Sequence, residues 1–255
     1  MRGHENVNIG PGAARLRARD KEVLMLRFLR QEVWSSLKVL SVLIGIATPR
    51  SVTPTLQRMA NMGWLRQHVQ PVLGGWSIPL WGITLAGQRW IAEHDGVEPL
   101  HADFEPWRLG ESKLRHDLDV QEVHARGLHA GWTHWVNGNR MKVLLPGDKR
   151  PDALATSPAG HRTALEIERT YKASRRYEGV LSSYLQSLKA GDVAQVIWLF
   201  PHEDRLVQVR DAILGITSVP VDGIYYPVEP ARHHRALFFA TYVEWEFGAS
   251  QIGLD

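Results

Sequence analysis

The stretch 20–33, DKEVLMLRFLRQEV, sets Val23, Leu26, Leu29 and Val33 at helical spacing and predicts a helix with Asp20 as its N-cap. SSLKVLSVLIGI (35–46) predicts a second, shorter helix that starts after a serine cap and ends near Gly45. A third follows in TPRSVTPTLQRMANMGWL (48–65). There Val52, Leu56 and Met59 share a face and Gly63 stops the helix. Its start is either Thr48 with Pro49 or, because proline is costly inside a helix, Thr53 with Pro54. WLRQHV (64–69) and PLWGITLAGQRWI (79–91) then read as two strands about a turn-rich QPVLGGWSI, with a helix from about Leu85. Trp64, Trp76, Trp81 and Trp90 are expected to pack the core and hairpin.

Residues 93–113 mix Gly, Pro and acids without periodicity, and a linker is expected at 96–112. Beyond it, LRHDLDVQEVHARGLHAG (114–131) predicts a helix ended by Gly131. WTHWVNG, MKVLL, RPDALAT and TALEIERT follow as short strands. A long helix is expected at 174–191, an apolar strand at 193–200, a helix at 204–215 and a late strand at 236–244. The second half is thus α/β with a mixed sheet. The whole chain is expected as a two-domain α+β / α/β protein.

Composition narrows the function classes. The chain of 255 residues has no cysteine, which excludes disulfides, thiol nucleophiles, zinc knuckles and iron–sulfur clusters and favours a cytoplasmic setting. No apolar run is long enough for a membrane span, and the N-terminus lacks the apolar core of a secretory signal. Charge is uneven. Residues 1–95 hold twelve Lys or Arg against six Asp or Glu, a net of +6, and the remainder is net −3. A basic module joined to a mildly acidic one suggests a nucleic-acid binder attached to something else.

Three helices followed by a hairpin, with NMGWL closing the third helix and ITLAGQ closing the wing, resemble a winged helix-turn-helix. The resemblance implies that the third helix enters the major groove of double-stranded DNA and that the wing touches the backbone or minor groove. Arg50, Ser51, Thr53, Thr55, Gln57 and Arg58 are then the candidate DNA contacts, with Arg66 on the wing. Arg and Gln suit base edges, and the hydroxyls suit phosphates.

KRPDALATSPAGHRTALEIERTYK (149–172) carries the candidate chemistry. The period of two along a strand puts Glu166 and Glu168 on one face, and the turn at SPAGHR brings Asp152 onto the neighbouring strand. Three dry carboxylates repel one another unless water or a divalent cation intervenes. A solvated acidic hairpin remains the alternative reading.

Pro151–Asp152 followed by Glu166–Ile167–Glu168 resembles the PD-(D/E)xK nuclease superfamily, whose domain is restriction-endonuclease-like. The resemblance implies Mg²⁺ or Mn²⁺ held by Asp152, Glu166 and the Ile167 carbonyl. Glu168 stands where the family has lysine and is a further candidate ligand, and Lys172, four residues on, is a candidate substitute for the lysine.

With the winged helix in front, the chain resembles the plasmid replication-relaxation family, which includes MOBC-type relaxases. The matching residues are LRHDLDVQEV (114–123), RPDA (150–153) and ALEIERTYK (164–172). That resemblance adds His116 and Glu122 as accessories to the metal site. It implies metal-dependent, site-specific nicking in plasmid mobilisation. The expected partners are double-stranded DNA at a transfer origin or operator, accessory mobilisation proteins and a coupling protein, with a homodimer as one expected assembly. The His-apolar-His motif of tyrosine-linked relaxases does not occur. The alternative function is a non-catalytic repressor or replication accessory with a degenerate nuclease domain. The expected organisation is a flexible basic arm (1–18), a winged helix-turn-helix (19–95), the linker (96–112), the nuclease-like domain (113–245) and a tail (246–255).

Overall fold

The computed structural model describes residues 11–72, 74–141, 145 and 149–246. The chain divides into two compact units, Met1–Leu114 and Arg115–Asp255. Both mix helix and strand, so the α+β class expected from the hydrophobic pattern holds.

Unit 1 runs α1 (Pro11–Glu32), β1 (Trp34–Ser36), α2 (Leu37–Leu43), a 3-10 turn (Pro49–Val52), α3 (Thr53–Asn61), β2 (Leu65–Val72), β3 (Trp76–Ile83) and α4 (Leu85–Asp95). Helix α1 starts well before Asp20, so that residue lies inside the helix and caps nothing. The Ala, Leu and Arg residues at 13–19 are strong helix formers, and they extend it. Residues 11–18 of the expected arm are therefore helical, and 1–10 lie outside the described residues.

Ser36 caps α2 by accepting from the Val39 amide at 3.3 Å. Pro54 lies in the first turn of α3, where its missing N–H removes no intrahelical bond. The strand β1 breaks the expected helical run. Val33, at φ 70°, turns the chain out of α1, and β1 pairs antiparallel with β3 to give the order β1–β3–β2. Leu26, Leu29, Leu40, Leu56 and Met59 are buried in this unit. Phe104, inside the stretch expected as linker, is buried too. Its amide donates to the Ile83 carbonyl at 2.9 Å, and a Cβ on Gly82 would lie 2.0 Å from its Cγ.

Unit 2 contains α5 (Glu111–His129), whose first turn precedes the boundary, then β4 (Thr133–Asn137), a 3-10 turn (Gly138–Arg140), β5 (Ala153–Thr156), β6 (Arg162–Ile167), α6 (Ser174–Ala190) and β7 (Gln195–Phe200). After these come α7 (Glu203–Leu214), β8 (Ser218–Val221), β9 (Ile224–Pro227), α8 (Pro230–His233), β10 (Leu237–Thr241) and α9 (Tyr242–Glu246). Among the described residues one sheet has the order β10–β7–β6–β5–β4. The β4–β5–β6 part is antiparallel, while β6–β7 and β7–β10 are parallel. The β8–β9 hairpin stands apart from it. Of the strand expected at MKVLL, residues 142–144 lie outside the described set, as do 247–255 of the expected tail.

Alternation along the strands builds two cores. Ala164, Val196 and Trp198 pack with Leu181 and Tyr184 of α6 and Val209 and Ile213 of α7. Leu165, Ile167, Ile197 and Leu199 pack with Val120 and Val123 of α5 and Tyr242 and Trp245 of α9. Helices therefore cover both faces of the sheet, which is why β7 is apolar at almost every position and does not alternate.

Candidate functional site

The acids meet where β5 begins and β6 ends. Ala153 pairs with Leu165 and Leu154 with Ala164, and Asp152 follows at the end of this pairing, bonded to Leu165 and Ile167 of β6. Asp152 sits just before β5, and its amide donates to the Leu165 carbonyl at 3.0 Å. Its side chain is fixed from two directions. The Ile167 amide donates to Oδ2 at 2.8 Å, and His116 Nε2 on α5 donates to Oδ1 at 3.0 Å. A carboxylate only accepts, so Nε2 carries the proton, and this bond with Asp152 raises the pKa of the imidazole above the usual histidine value.

Gly138 makes the strand end possible. Its amide donates to the Asp152 carbonyl at 2.8 Å, and any Cβ there would lie 2.0 Å from the Pro151 carbonyl oxygen. Only glycine allows that approach.

Glu166 is buried on the α6 side of the sheet. Lys149 Nζ lies 2.7 Å from its Oε1, and Tyr184 Oη donates to the same oxygen. Tyr184 is itself buried against Trp198, ring edge to face, at 5.6 Å between centroids. Burial pushes the Glu166 carboxyl above its ordinary value, and the charge of Asp152 pushes it the same way, against the pull of Lys149 and Tyr184.

Glu168 lies one residue past β6, and its amide continues the ladder to the Leu199 carbonyl at 2.9 Å. Its carboxylate is ion-paired with Lys172. Lys172 is thus committed to Glu168, and its main-chain amide donates to Tyr177 Oη at 3.0 Å. Glu122, expected beside the acids, is bonded to Arg126, from Nη2 at 2.8 Å. The structure thus joins His116, Asp152, Glu166 and Lys149 and sets Glu168 with Lys172 as a separate pair. Lys149 is the residue that sequence reasoning passed over. Its only signal was its position three residues before Asp152.

In unit 1 the candidate DNA contacts divide. Val52, Leu56 and Met59 face the core, while Arg50, Ser51, Thr53, Gln57, Arg58 and Arg66 are exposed and Thr55 is half-buried. Gln57 Nε2 donates to Asn61 Oδ1 at 3.3 Å. Arg58 turns back to the helix bundle, where its Nε and Nη2 both donate to Oε1 of buried Glu22, at 2.8 and 2.7 Å. Arg66, on β2, donates to the Phe104 carbonyl at 3.3 Å.

No family model, curated protein or solved structure matches the chain. Among the described residues no helix is long and apolar enough to cross a membrane.

Among the same residues no three His, Asp or Glu side chains form a group that could hold a metal ion. Asp152 and Glu166 alone form a smaller set. Both offer hard oxygen donors, and a cation, the Lys149 ammonium, already lies against Glu166. Mg²⁺ is commonly held by one or two carboxylates with water and substrate oxygens completing the shell, and the donor type of this pair matches that chemistry.

Proposed function

We propose that the chain is a metal-dependent, site-specific DNA-nicking enzyme of plasmid mobilisation. Unit 1 would bind the DNA as a winged helix, and unit 2 would cut it as a PD-(D/E)xK-like nuclease. The element order α1–β1–α2–α3–β2–β3 supports the first assignment and α5–β4–β5–β6–α6–β7 the second. One observation carries the catalytic reading. Asp152 lies just before β5 and Glu166 near the end of the adjacent antiparallel β6, on residues that match the motif, and Asp152 is bonded to Leu165 and Ile167 on either side of Glu166.

In this reading Asp152 and Glu166 hold Mg²⁺ or Mn²⁺. Such an ion supplies an activated water and neutralises charge on the phosphate. The protein's own groups do the positioning. The Ile167 amide and His116 fix both oxygens of Asp152, and the wall of Tyr184 and Trp198 keeps water from Glu166. Glu168, neutralised by Lys172, is left out of the ligand set. Arg50, Ser51, Thr53 and Gln57 are the DNA-facing residues, and Arg58, bonded to Glu22, ties α3 to α1.

A second reading has its own support. Each of the three acids is matched by a donor or cation of the protein, namely Asp152 by His116 and Ile167, Glu166 by Lys149 and Tyr184, and Glu168 by Lys172. A repressor or origin-binding accessory could keep such a hairpin without any metal. Supercoiled plasmid carrying the cognate origin separates the two. Nicking predicts open circles in Mg²⁺ or Mn²⁺ and none in EDTA, whereas the accessory binds the same DNA and leaves it supercoiled.

A further inference from the structure

We propose that the ammonium group of Lys149 is a built-in competitor for the divalent ion at Asp152 and Glu166, so that metal binding must displace it from Glu166. This rests on the metal-dependent reading above and adds a control to that site.

One oxygen of the Glu166 carboxylate is saturated. Oε1 of Glu166 has Lys149 Nζ at 2.7 Å and also accepts from Tyr184 Oη. A carboxylate oxygen has about two lone-pair sites, so Oε1 is fully used. The lysine is held on a second side, with its Nζ 5.5 Å from the centroid of the Tyr184 ring, a cation–π contact. Only 18% of its side chain is exposed. Glu166 is buried, and a buried carboxylate requires a compensating charge. Lys149 supplies that charge in the metal-free protein.

A divalent ion on Glu166 would bind through the same carboxylate that the ammonium holds. The ammonium and the ion would then share one buried carboxylate, two cations a few ångströms apart in a site of low polarity, where their repulsion is strong. The two states exclude each other, and apparent metal affinity is scaled by the fraction of protein in which Lys149 has let go. Lys172 does not compete in the same way, because its partner is Glu168.

Calorimetric titration of the full chain with Mn²⁺ at pH 8, where proton competition for Glu166 is reduced, tests this. Lys149→Met should bind Mn²⁺ at least about tenfold more tightly than the wild type, and adding Asp152→Asn should remove the gain. Equal or weaker binding by folded Lys149→Met, with wild-type binding still lost in Asp152→Asn, overturns the competition and leaves the metal-dependent reading standing. Absence of Mn²⁺ binding in every variant overturns both.

Should Lys149→Met fail to fold, the wild type supplies its own readout. Reductive methylation at Lys149, followed by mass spectrometry, should accelerate when Mg²⁺ is added, while Lys189 at the end of α6 stays constant. A rate at Lys149 indifferent to Mg²⁺ overturns the proposal.

Discussion

The Ile167 amide donates to Oδ2 of Asp152 at 2.8 Å, so the side chain that precedes β5 also ties down the end of β6. Asp152 has a structural duty beside any chemical one, and the two can be separated. Asp152→Ala leaves the Ile167 N–H without its acceptor, which costs about 1–3 kcal/mol for a buried group. Asp152→Asn keeps an oxygen for that N–H and should lose about 1 kcal/mol or less. Urea unfolding of both variants checks this, and equal losses would show that the Ile167–Asp152 bond does not hold the two strand ends together.

Arg50 and Arg58 are expected to behave oppositely despite lying eight residues apart on one basic segment. Arg58→Ala removes one of the two arginines bonded to buried Glu22, and because its side chain is half exposed and Arg19 remains, it should destabilise the protein by about 1 kcal/mol or less. Arg50→Ala should leave the melting temperature unchanged and weaken DNA binding. It should also lower the slope of log K against log salt by about 1. Fluorescence anisotropy across a salt series, together with thermal melts, distinguishes them. The reverse pattern would place Arg58, not Arg50, on the DNA.

Two glycines give a paired control on the site. A methyl group at Gly138 meets the Pro151 carbonyl at 2.0 Å, so Gly138→Ala should cost about 1–3 kcal/mol by overpacking. Gly179 in α6 has nothing within 4 Å of an added Cβ. Gly179→Ala should stabilise by about 0.5–1 kcal/mol, since glycine is a poor helix residue. Denaturant midpoints report both, and a tolerated Gly138→Ala would argue against the close approach that sets Asp152.

Asp95 gives one acid-sensitive contribution to stability. Arg27 donates to it from Nε and Nη2, with its shortest contact at 2.7 Å, and holds the carboxyl down at about 2. Its unfolded value is about 4. A depressed carboxylate contributes stability above the unfolded value and loses it as pH falls through the folded one. The melting-temperature gap between wild type and Arg27→Met should therefore be full above pH ~4 and shrink from pH ~4 toward ~2. A gap that stays constant across that range would remove Asp95 from the account.

Helices and apolar strands were legible because burial leaves a periodic trace. The stretch 174–191 reads as α6 and 193–200 as β7, since Leu181, Tyr184 and Trp198 must face one core. What escaped was set by single contacts without periodicity. The three-residue β1 follows a helical pattern that ran through Val33, and only the left-handed turn at Val33 breaks it. Asp152 and Glu166 were legible from strand alternation and the turn between them. Their partners were not. Lys149 precedes the strand in a polar run where any side chain orientation is open, and Tyr184 reaches Glu166 from a helix eighteen residues away in sequence. Arg58 misled for the same reason. Its spacing suits a DNA-facing helix, while the buried acid that captures it lies on α1, 36 residues earlier.

The most direct measurement is the nicking rate of supercoiled cognate DNA in Mn²⁺ for wild type and Asp152→Asn, on proteins shown to melt at similar temperatures. The wild type should give open circles and Asp152→Asn a rate at least about a hundredfold lower, the scale on which removing a group that acts on the reacting charge slows an enzyme. Full nicking by Asp152→Asn, or none by a wild type that binds the same DNA, would rule out metal-dependent cleavage at Asp152.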